Sequence, residues 1–167
     1  MGYEDHMKHA AQNIPCAVIT VSDSRTRDTD ESGRIIMEKL RSAGHLVGDY
    51  RLVRDNVGEI KSAITADLEN SDVKVIICNG GTGIAKRDVT VEAVCPFLEK
   101  RIEGFGEFFR YLSYEEIGIA AMMSRAIGGV AFGKIILCLP GSSGAVRLAM
   151  DKVILPQIGH MVWEVER

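Results

Sequence analysis

A run of glycines and charged residues near the middle of the chain has the residue types that bind anions. Asn79-Gly80-Gly81-Thr82-Gly83 is followed closely by Lys86-Arg87-Asp88-Val89-Thr90. Glycine lets backbone N–H groups approach a ligand closely, because no Cβ stands in the way. Asp88 and Thr90 are favoured N-cap residue types, so a helix is expected to begin near Thr90. The combination predicts an anion-binding turn that leads into a helix.

Apolar runs predict the strands that position this turn. Residues 73–78 come directly before it, and they form a run that is too short for a helix and has strand composition. Further strands are predicted at 15–21, 46–53 and 135–139, with a short edge strand at 130–132. Continuously apolar strands that alternate with helices indicate a parallel sheet covered on both faces.

Apolar residues at helical spacing predict the helices between these strands. The stripes lie at residues 36–43, 60–68, 105–112, 119–126, 146–154 and 158–165. Gly44 is expected just after the first of these helices. Gly128 and Gly129 are expected to end the fourth helix, and Pro156 is expected to stop the fifth. The fold class is therefore a three-layer α/β/α sandwich with a mostly parallel sheet, Rossmann-like and doubly wound. Residues 1–14 are expected to be a flexible tail, and residues 15–167 a single domain.

Polar turns follow four of the predicted strands, and open parallel sheets bind ligands at that edge. These turns are Ser22-Asp23-Ser24, Asp55-Asn56, Gly80 to Asp88, and Gly141-Ser142-Ser143-Gly144. Asp55 and Asp88 are the carboxylates best placed for Mg²⁺, which takes one or two carboxylates together with phosphates and waters. Lys86 and Arg87 can neutralise phosphate charge, and the Gly141 turn suits a phosphate monoester. The plain alternatives are that Asp88 and the Gly141 turn only cap helices, that Asp55 lies in a solvated turn, and that Lys86 and Arg87 are an ordinary exposed basic pair.

Composition and charge narrow the class of function. The 167 residues are 46% hydrophobic and 26% charged, with a net charge of −3, which is ordinary for a soluble globular protein. Nothing in the overall charge argues for binding to nucleic acid or to an anionic membrane, and no apolar run reaches membrane-spanning length. Cys16, Cys78 and Cys138 lie in or beside apolar runs, which predicts buried thiols and a reducing, cytoplasmic location.

The common nucleotide-binding motifs do not match. Gly80 to Gly83 lacks the G-x-G-x-x-G spacing and follows the third predicted strand, which disfavours a nicotinamide-dependent oxidoreductase. Residues 128–134 fit G-x-x-x-x-G-K, but Ile135 and a strand follow where a Walker A motif needs Ser or Thr and a helix. Spacing leaves open whether Arg125, next to Ser124, is structural or reaches the pocket.

Taken together, these segments resemble the molybdopterin-binding family of molybdenum cofactor biosynthesis. The matching pieces are Val21-Ser22-Asp23, Asp30 with Ser32-Gly33, Asp55, Gly80 to Gly83, Arg87-Asp88-Val89-Thr90, Gly104-Phe105-Gly106-Glu107, Ser124-Arg125 and Pro140-Gly141-Ser142. Residues 103–118 look most similar to the protein B (MoaB) branch, and the MogA and gephyrin G-domain branch is the next nearest. The chain differs from many relatives at Val91, where they carry Pro, and in having no lysine closely after Pro140-Gly141.

The resemblance implies Mg²⁺-dependent transfer of an adenylyl group from ATP to molybdopterin, with release of pyrophosphate. Asp55 and Asp88 would hold Mg²⁺ or orient phosphates, and the Gly141-Ser142-Ser143 turn would receive the terminal phosphate of molybdopterin. The residues expected to contact nucleotide or pterin are Ser22, Asp23, Gly80, Gly81, Thr82, Gly83, Arg87, Glu107, Ser124 and Arg125. A non-catalytic molybdopterin-binding carrier or scaffold on the same fold is the alternative.

Two helical stripes carry more apolar surface than one small core needs. They lie around residues 105–112 and 119–123, and they predict a homo-oligomer. The resemblance points to a trimer or a hexamer, and it implies a downstream molybdenum-insertion protein that receives the product. Whether molybdenum or tungsten is the final metal stays open.

Overall fold

The computed structural model describes residues 11–167, so the predicted tail of residues 1–14 lies largely outside the described part. The end of that segment packs onto the fold, because Ile14 is buried and the Ala11 N–H donates to the Gly159 carbonyl oxygen. The strands are β1 (Pro15–Val21), β2 (Leu46–Val53), β3 (Val75–Asn79), β4 (Lys100–Arg101), β5 (Ile127–Ala131) and β6 (Lys134–Leu139).

Within the described residues, the strands form one six-stranded sheet in the order β2-β1-β3-β6-β5-β4. Strands β2, β1, β3 and β6 are parallel, whereas β5 pairs antiparallel with both β6 and β4. The central strands β3 and β6 are buried along their whole length, as expected for a sheet with helices on both faces. The predicted α/β sandwich with a mostly parallel sheet is confirmed.

The helices connect these strands and supply the two outer layers. They are α1 (Glu31–Ser42), α2 (Val57–Glu69), α3 (Thr90–Val94), α4 (Glu103–Ile117), α5 (Ser143–Ala149) and α6 (Leu155–Glu166). Asp30 and Asn56 cap α1 and α2 through side-chain oxygens that accept backbone N–H groups. Gly44, at φ +82°, follows the C-cap of α1 as predicted. None of these helices is both long enough and apolar enough to cross a bilayer.

The sheet separates two apolar clusters because successive side chains of a strand point to opposite faces. In β3, Ile77 packs with α1, α4, α5 and α6, whereas Ile76 packs with α2 and α3. Cys16, Cys78 and Cys138 are buried in these clusters, as predicted. Burial raises the pKa of Cys16 to about 12, so this thiol stays protonated and inert.

Two glycines that were predicted to end a helix lie inside a strand instead. β5 begins before the predicted edge strand at 130–132 and includes Gly128 and Gly129. A Cβ on Gly128 would lie 3.1 Å from the Phe105 ring, and one on Gly129 would lie 2.5 Å from the Lys100 carbonyl oxygen. The glycines are therefore needed for close packing of β5 against α4 and β4.

The prediction that Pro156 stops a helix is wrong. Helical structure continues from Ser143 to Glu166, because α5 and α6 are joined by a π-helical turn at Met150–Ile154. Pro156 occupies one of the first two positions of α6, where a missing backbone N–H costs little. The predicted helix at 119–126 is a 3₁₀ helix that spans Gly118–Met123.

Candidate functional site

The predicted turns meet at the carboxyl edge of the four parallel strands. After β1, the Ser22 N–H donates to the carbonyl oxygen of Val53, at the end of β2, with an N–O distance of 2.9 Å. After β3, the Gly80 N–H donates to the carbonyl oxygen of Leu139, at the end of β6, at 3.0 Å. A Cβ on Gly141 would lie only 3.0 Å from the Gly80 Cα. The turns therefore form one continuous rim.

The backbone of the glycine loop (Gly80–Asp88) requires glycine at its first two positions. Gly80 and Gly81 have φ values of +97° and +63°, which side chains disfavour. A Cβ on Gly80 would lie 2.2 Å from the Val21 carbonyl oxygen, and one on Gly81 would lie 2.8 Å from Asp55 Oδ1. Thr90 holds both residues, since its hydroxyl donates to the Gly80 carbonyl oxygen and its N–H donates to that of Gly81. The loop backbone is thus fixed beside Asp55.

Asp88 and Thr90 do not cap a helix, contrary to the prediction. α3 begins at Thr90 with Val89 in the cap position, and no side-chain hydrogen bond caps it. Asp88 Oδ2 accepts the Ala85 N–H at 2.8 Å, and the Asp88 N–H donates to the Ala85 carbonyl oxygen at 2.9 Å. Asp88 therefore closes the tip of the glycine loop, and this places its carboxylate at the rim.

Two neighbouring carboxylates, those of Asp23 and Asp88, act on that of Asp55 at this rim. The Asp55 N–H donates to Asp23 Oδ1 at 3.2 Å. Burial raises the pKa of Asp55, and the negative charges of Asp23 and Asp88 raise it further, while Arg87 opposes the shift. The structure thus brings the predicted Asp23, Asp55, Arg87 and Asp88 together, with more negative than positive charge among them.

These carboxylates fit a cation that arrives with a phosphate ligand. Among residues 11–167, no three His, Cys, Asp or Glu side chains are close enough to hold a metal by themselves. Mg²⁺ needs only one or two carboxylates when phosphates and waters complete its octahedron. Asp55 and Asp88 match that donor set, and a bound cation would relieve the repulsion that raises the pKa of Asp55.

Arg125 holds the glycine loop from the other side and also borders the open space next to it. Its Nε donates to the Gly83 carbonyl oxygen at 2.8 Å, and its Nη2 donates to that of Asp88 at 2.9 Å. Its backbone N–H donates to the carbonyl oxygen of the buried Thr82. The guanidinium also pairs with Glu92, and this hydrogen bond lowers the pKa of Glu92. Arg125 is therefore both structural and part of the site.

A basic cleft of about 330 Å³ lies on one side of Arg125 and is named here the arginine cleft. Arg101, Arg110 and Arg125 line it together with the predicted Ser124. Arg110 Nη1 donates to the Ser124 carbonyl oxygen at 3.2 Å. Gly106, one turn earlier on α4, leaves room for the guanidinium, because a Cβ there would lie 3.0 Å from Nη1 and Nη2. Arg101 and Arg110 were not among the predicted site residues, although the i, i+4 spacing of Gly106 and Arg110 was a usable signal.

A second cleft, of about 400 Å³, lies on the other side of Arg125 and is named here the loop cleft. The tip of the glycine loop forms one wall, and the carboxylates of Asp88 and Glu92 also line it. Arg125 therefore lines both a cleft with three arginines and a cleft that combines apolar side chains with two acidic and two basic ones.

Other predicted site residues occupy simpler positions. Ser142 Oγ accepts the Ala145 N–H at 3.3 Å and so caps α5, while Ser143 is the first residue of that helix. Ser22 Oγ accepts backbone N–H groups of its own turn. Glu107 is exposed on α4 and does not line the arginine cleft or the loop cleft. Ligand contacts by these residues stay predictions.

Comparison with known proteins agrees with this architecture. Residues 17–160 match the family described as "Probable molybdopterin binding domain". Molybdenum cofactor biosynthesis protein B from Bacillus cereus is 51% identical over 168 residues, covering 100% of this chain and 99% of that protein. A crystal structure of molybdenum cofactor biosynthesis protein B superposes with a TM-score of 0.91 at 52% identity, covering 95% of this chain and 99% of the other.

A more distant structure shows the same fold. The tungsten cofactor synthesizing protein MoaB from Pyrococcus furiosus is 34% identical, with a TM-score of 0.85 over 95% of this chain and 100% of the other. The relatives are matched over almost their whole lengths, so the likeness includes the rim as well as the sheet. The chain therefore belongs to the molybdopterin-binding domain family that includes the molybdenum cofactor biosynthesis B proteins.

Proposed function

We propose that the protein acts in the cytoplasm in molybdenum or tungsten cofactor biosynthesis, where it adenylylates molybdopterin with ATP. The observation that carries this proposal is the convergence of Asp23, Asp55 and Asp88 on a glycine loop with fixed geometry. Such a rim suits a polyphosphate that arrives with Mg²⁺. The adenylylated product would pass to a downstream molybdenum-insertion protein.

The proposed step is an in-line displacement at phosphorus. A terminal phosphate oxygen of molybdopterin forms a bond to the α-phosphorus of ATP. The bond from the α-phosphorus to the oxygen that bridges it to the β-phosphorus breaks, and pyrophosphate leaves. The attacking oxygen is already anionic near neutral pH, so no strong general base is needed. Asp55 and Asp88 would hold Mg²⁺, which neutralises phosphate charge when bound. The chain contributes mainly positioning, through the loop N–H groups and the fixed carboxylates.

The two clefts give room for two ligands. The arginine cleft concentrates positive charge at one end of the rim, although the chain as a whole has a net charge of −3. Arginine guanidinium groups are well suited to phosphate oxygens. The loop cleft lies next to Asp88, where the proposed displacement takes place. This arrangement supports a reaction that joins two phosphate-bearing substrates.

A non-catalytic molybdopterin carrier is the second candidate. It is favoured by the use of Asp88 Oδ2 to close the loop tip, because that role would keep an aspartate there without catalysis. The deciding experiment incubates the purified protein with molybdopterin and labelled ATP and measures pyrophosphate. Release that requires Mg²⁺ and molybdopterin supports the enzyme. Bound molybdopterin without pyrophosphate release would support the carrier instead.

We further propose that the protein is a homo-oligomer, a trimer or a hexamer. Phe105 and Phe109 fill the core, but Phe108 is 50% exposed and stacks on the exposed Tyr111. The same region exposes further large apolar side chains: Tyr114, Ile117, Ile119, Met122 and Met123. An apolar surface of this kind is typical of an interface. A monomer mass in light scattering would contradict the proposal.

A further inference from the structure

Helix α4 gives Arg110 a fixed base from which to reach a neighbouring segment. Phe105 and Phe109, on the same helix, are buried and anchor α4 in the core. Arg110 follows Phe109 directly and is half-buried. Its Nη1 donates to the Ser124 carbonyl oxygen at 3.2 Å and to the Ala126 carbonyl oxygen at 3.3 Å. Because Nη1 carries two hydrogens, both are used inside the protein.

The segment that Arg110 holds has no regular secondary structure of its own. Residues 124–126 lie between the 3₁₀ helix and β5 and belong to neither, so no helix or strand hydrogen bonds fix their path. A Cβ on Gly106 would lie 2.3 Å from the Ala126 carbonyl oxygen, which shows how closely α4 approaches this segment. Hydrogen bonds from α4 therefore set the backbone on both sides of Arg125.

Arg125 connects this segment to the glycine loop through backbone carbonyl oxygens. Its N–H donates to that of Thr82 at 3.3 Å, its Nε to that of Gly83 at 2.8 Å, and its Nη2 to that of Asp88 at 2.9 Å. Asp88 Oδ2 in turn accepts the Ala85 N–H at the loop tip. A shift of Arg125 would therefore move the loop tip and the Asp88 carboxylate together.

We propose that Arg110 is a positioning residue, which fixes Arg125 and thereby the Asp88 carboxylate. The inference rests on the proposed function, which gives that carboxylate its task. This role differs from that of a cation that binds a ligand in the arginine cleft, because it needs donors aimed at two carbonyl oxygens and not only a positive charge. The two roles predict different results, so experiment can separate them.

The first experiment measures by amide hydrogen exchange how firmly the glycine loop is held. The variants are Arg110→Met, which removes the donors, Arg125→Met, and the protein with both substitutions. Arg110→Gln, a polar replacement with a shorter side chain, gives the same comparison if Arg110→Met does not fold. Arg34→Met is the matched control, because Arg34 is an exposed arginine on α1 that pairs with Glu38.

Exchange in β1, in the middle of the sheet, reports global stability, whereas exchange in the loop reports local opening. We expect Arg110→Met to raise exchange of the Ala85 and Asp88 amides by about tenfold more than exchange in β1. Arg125→Met should do the same, and Arg34→Met should leave the loop unchanged. The double variant should exchange within about twofold of Arg125→Met alone, since Arg110 acts through Arg125.

The second experiment measures the kinetics of pyrophosphate release. A misplaced carboxylate should lower the kcat of Arg110→Met by about tenfold or more, while the KM for ATP changes by less than about threefold. Arg34→Met should keep the wild-type kcat. An Arg110 that binds a ligand directly would give the opposite division, with a raised KM and unchanged exchange in the loop.

Three results would overturn the inference. The first is unchanged loop exchange in Arg110→Met, and the second is a rise no larger than that in β1, which would show only a general loss of stability. The third is an additive effect in the double variant. The exchange experiment does not depend on activity. Wild-type protein that releases no pyrophosphate would reject the proposed function, while loop exchange would still decide whether Arg110 acts on Asp88.

Discussion

Helix α2 has an acidic residue near each end, and the two residues lie in different surroundings. Asp55 comes just before the N-terminus, is half-buried and has Asp23 and Asp88 for neighbours. Asp67, near the C-terminus, is completely buried. Burial also raises its pKa, to about 6, with Arg51 opposing the shift. The same direction of shift therefore arises at an open rim and in an enclosed cluster.

The difference lies in the cations that each site contains. At Asp67, Arg51 Nε lies 3.4 Å from Oδ1, and the same guanidinium also pairs with Asp49. Lys134 Nζ donates to the carbonyl oxygens of Asp67, at 3.0 Å, and Asn70, and so binds the end of α2 to β6. The enclosed cluster supplies its own positive charge and is structural. At the rim, Arg87 is the cation that opposes the charges of Asp23 and Asp88 at Asp55, and Asp55 is only half-buried. The rim is therefore open to a ligand, which makes it the candidate site.

The largest expected effect is on activity, and we expect it only for a change at the rim. Asp88→Asn keeps a side-chain oxygen that can accept the Ala85 N–H but removes the negative charge. Pyrophosphate release should fall by about 10²–10³-fold, because charge stabilisation at phosphorus is lost. Asp72→Asn, which changes an exposed aspartate outside the rim, is the control and should keep its rate. Unchanged release by Asp88→Asn in a steady-state assay would remove this residue from the proposed mechanism.

Loss of Lys134 should affect stability without affecting the rim. Lys134→Met keeps the length of the side chain but leaves the carbonyl oxygens of Asp67 and Asn70 without this donor. The free energy of unfolding should fall by about 2–4 kcal/mol, because buried acceptors lose a charged partner. Urea denaturation measures this change. Pyrophosphate release per folded molecule should stay at the wild-type rate, and a large fall would show that the two regions are coupled.

Two glycines with positive φ allow backbone strain to be separated from crowding at the rim. A Cβ on Gly44 (φ +82°) meets nothing within 4 Å, whereas one on Gly81 (φ +63°) would lie 2.3 Å from Thr90 Oγ1. Gly44→Ala should cost about 1 kcal/mol from backbone conformation alone. Gly81→Ala should cost about 2–3 kcal/mol and also reduce pyrophosphate release. Equal unfolding free energies of the two variants would contradict the close packing around Gly81.

A small effect, of the same order as that of Gly44→Ala, is expected on the pH dependence of stability. The pKa of Asp67 rises on folding from 3.8 to about 6, so the folded state prefers the protonated form. Its contribution to stability is fully present below pH 3.8 and is lost as the pH rises through about 6. Asp67→Asn mimics the protonated form and should stabilise the protein at pH 8 by about 1–2 kcal/mol. Thermal unfolding from pH 4 to 8 measures this; a gain that did not increase with pH would contradict it.

Much of the fold could be predicted because it depends on residues that are close in the chain. The apolar runs of β1, β3 and β6 and the stripe of α2 each appear within a few turns or strand residues. Gly44 was placed correctly for the same reason, since a helix end is set by local backbone chemistry. The prediction for Gly128 was wrong because its role depends on contacts with residues that are distant in the chain. The prediction for Pro156 was wrong because a π-helical turn precedes it and the helix continues.

The candidate site could be predicted only in part. The sequence predicted that Asp55, Asp88 and the glycine loop would share one edge, and the structure brings them together. It did not predict that Asp88 closes the loop tip, because that bond depends on the exact path of the loop. Arg110 was missed because its significance depends on a cleft between α4 and the segment before β5.

By itself, the sequence determined the positions of β1, β2, β3 and β6, which turns carry polar residues and which family the motifs resemble. These properties follow from local periodicity and from the order of short motifs. Only the tertiary structure decided that Arg125 holds the glycine loop, that two clefts lie on either side of it, and that Asp67 is enclosed while Asp55 is open. The physical reason is that such contacts join segments far apart in the chain, and their energies depend on burial and on neighbouring charges that exist only after the sheet has formed.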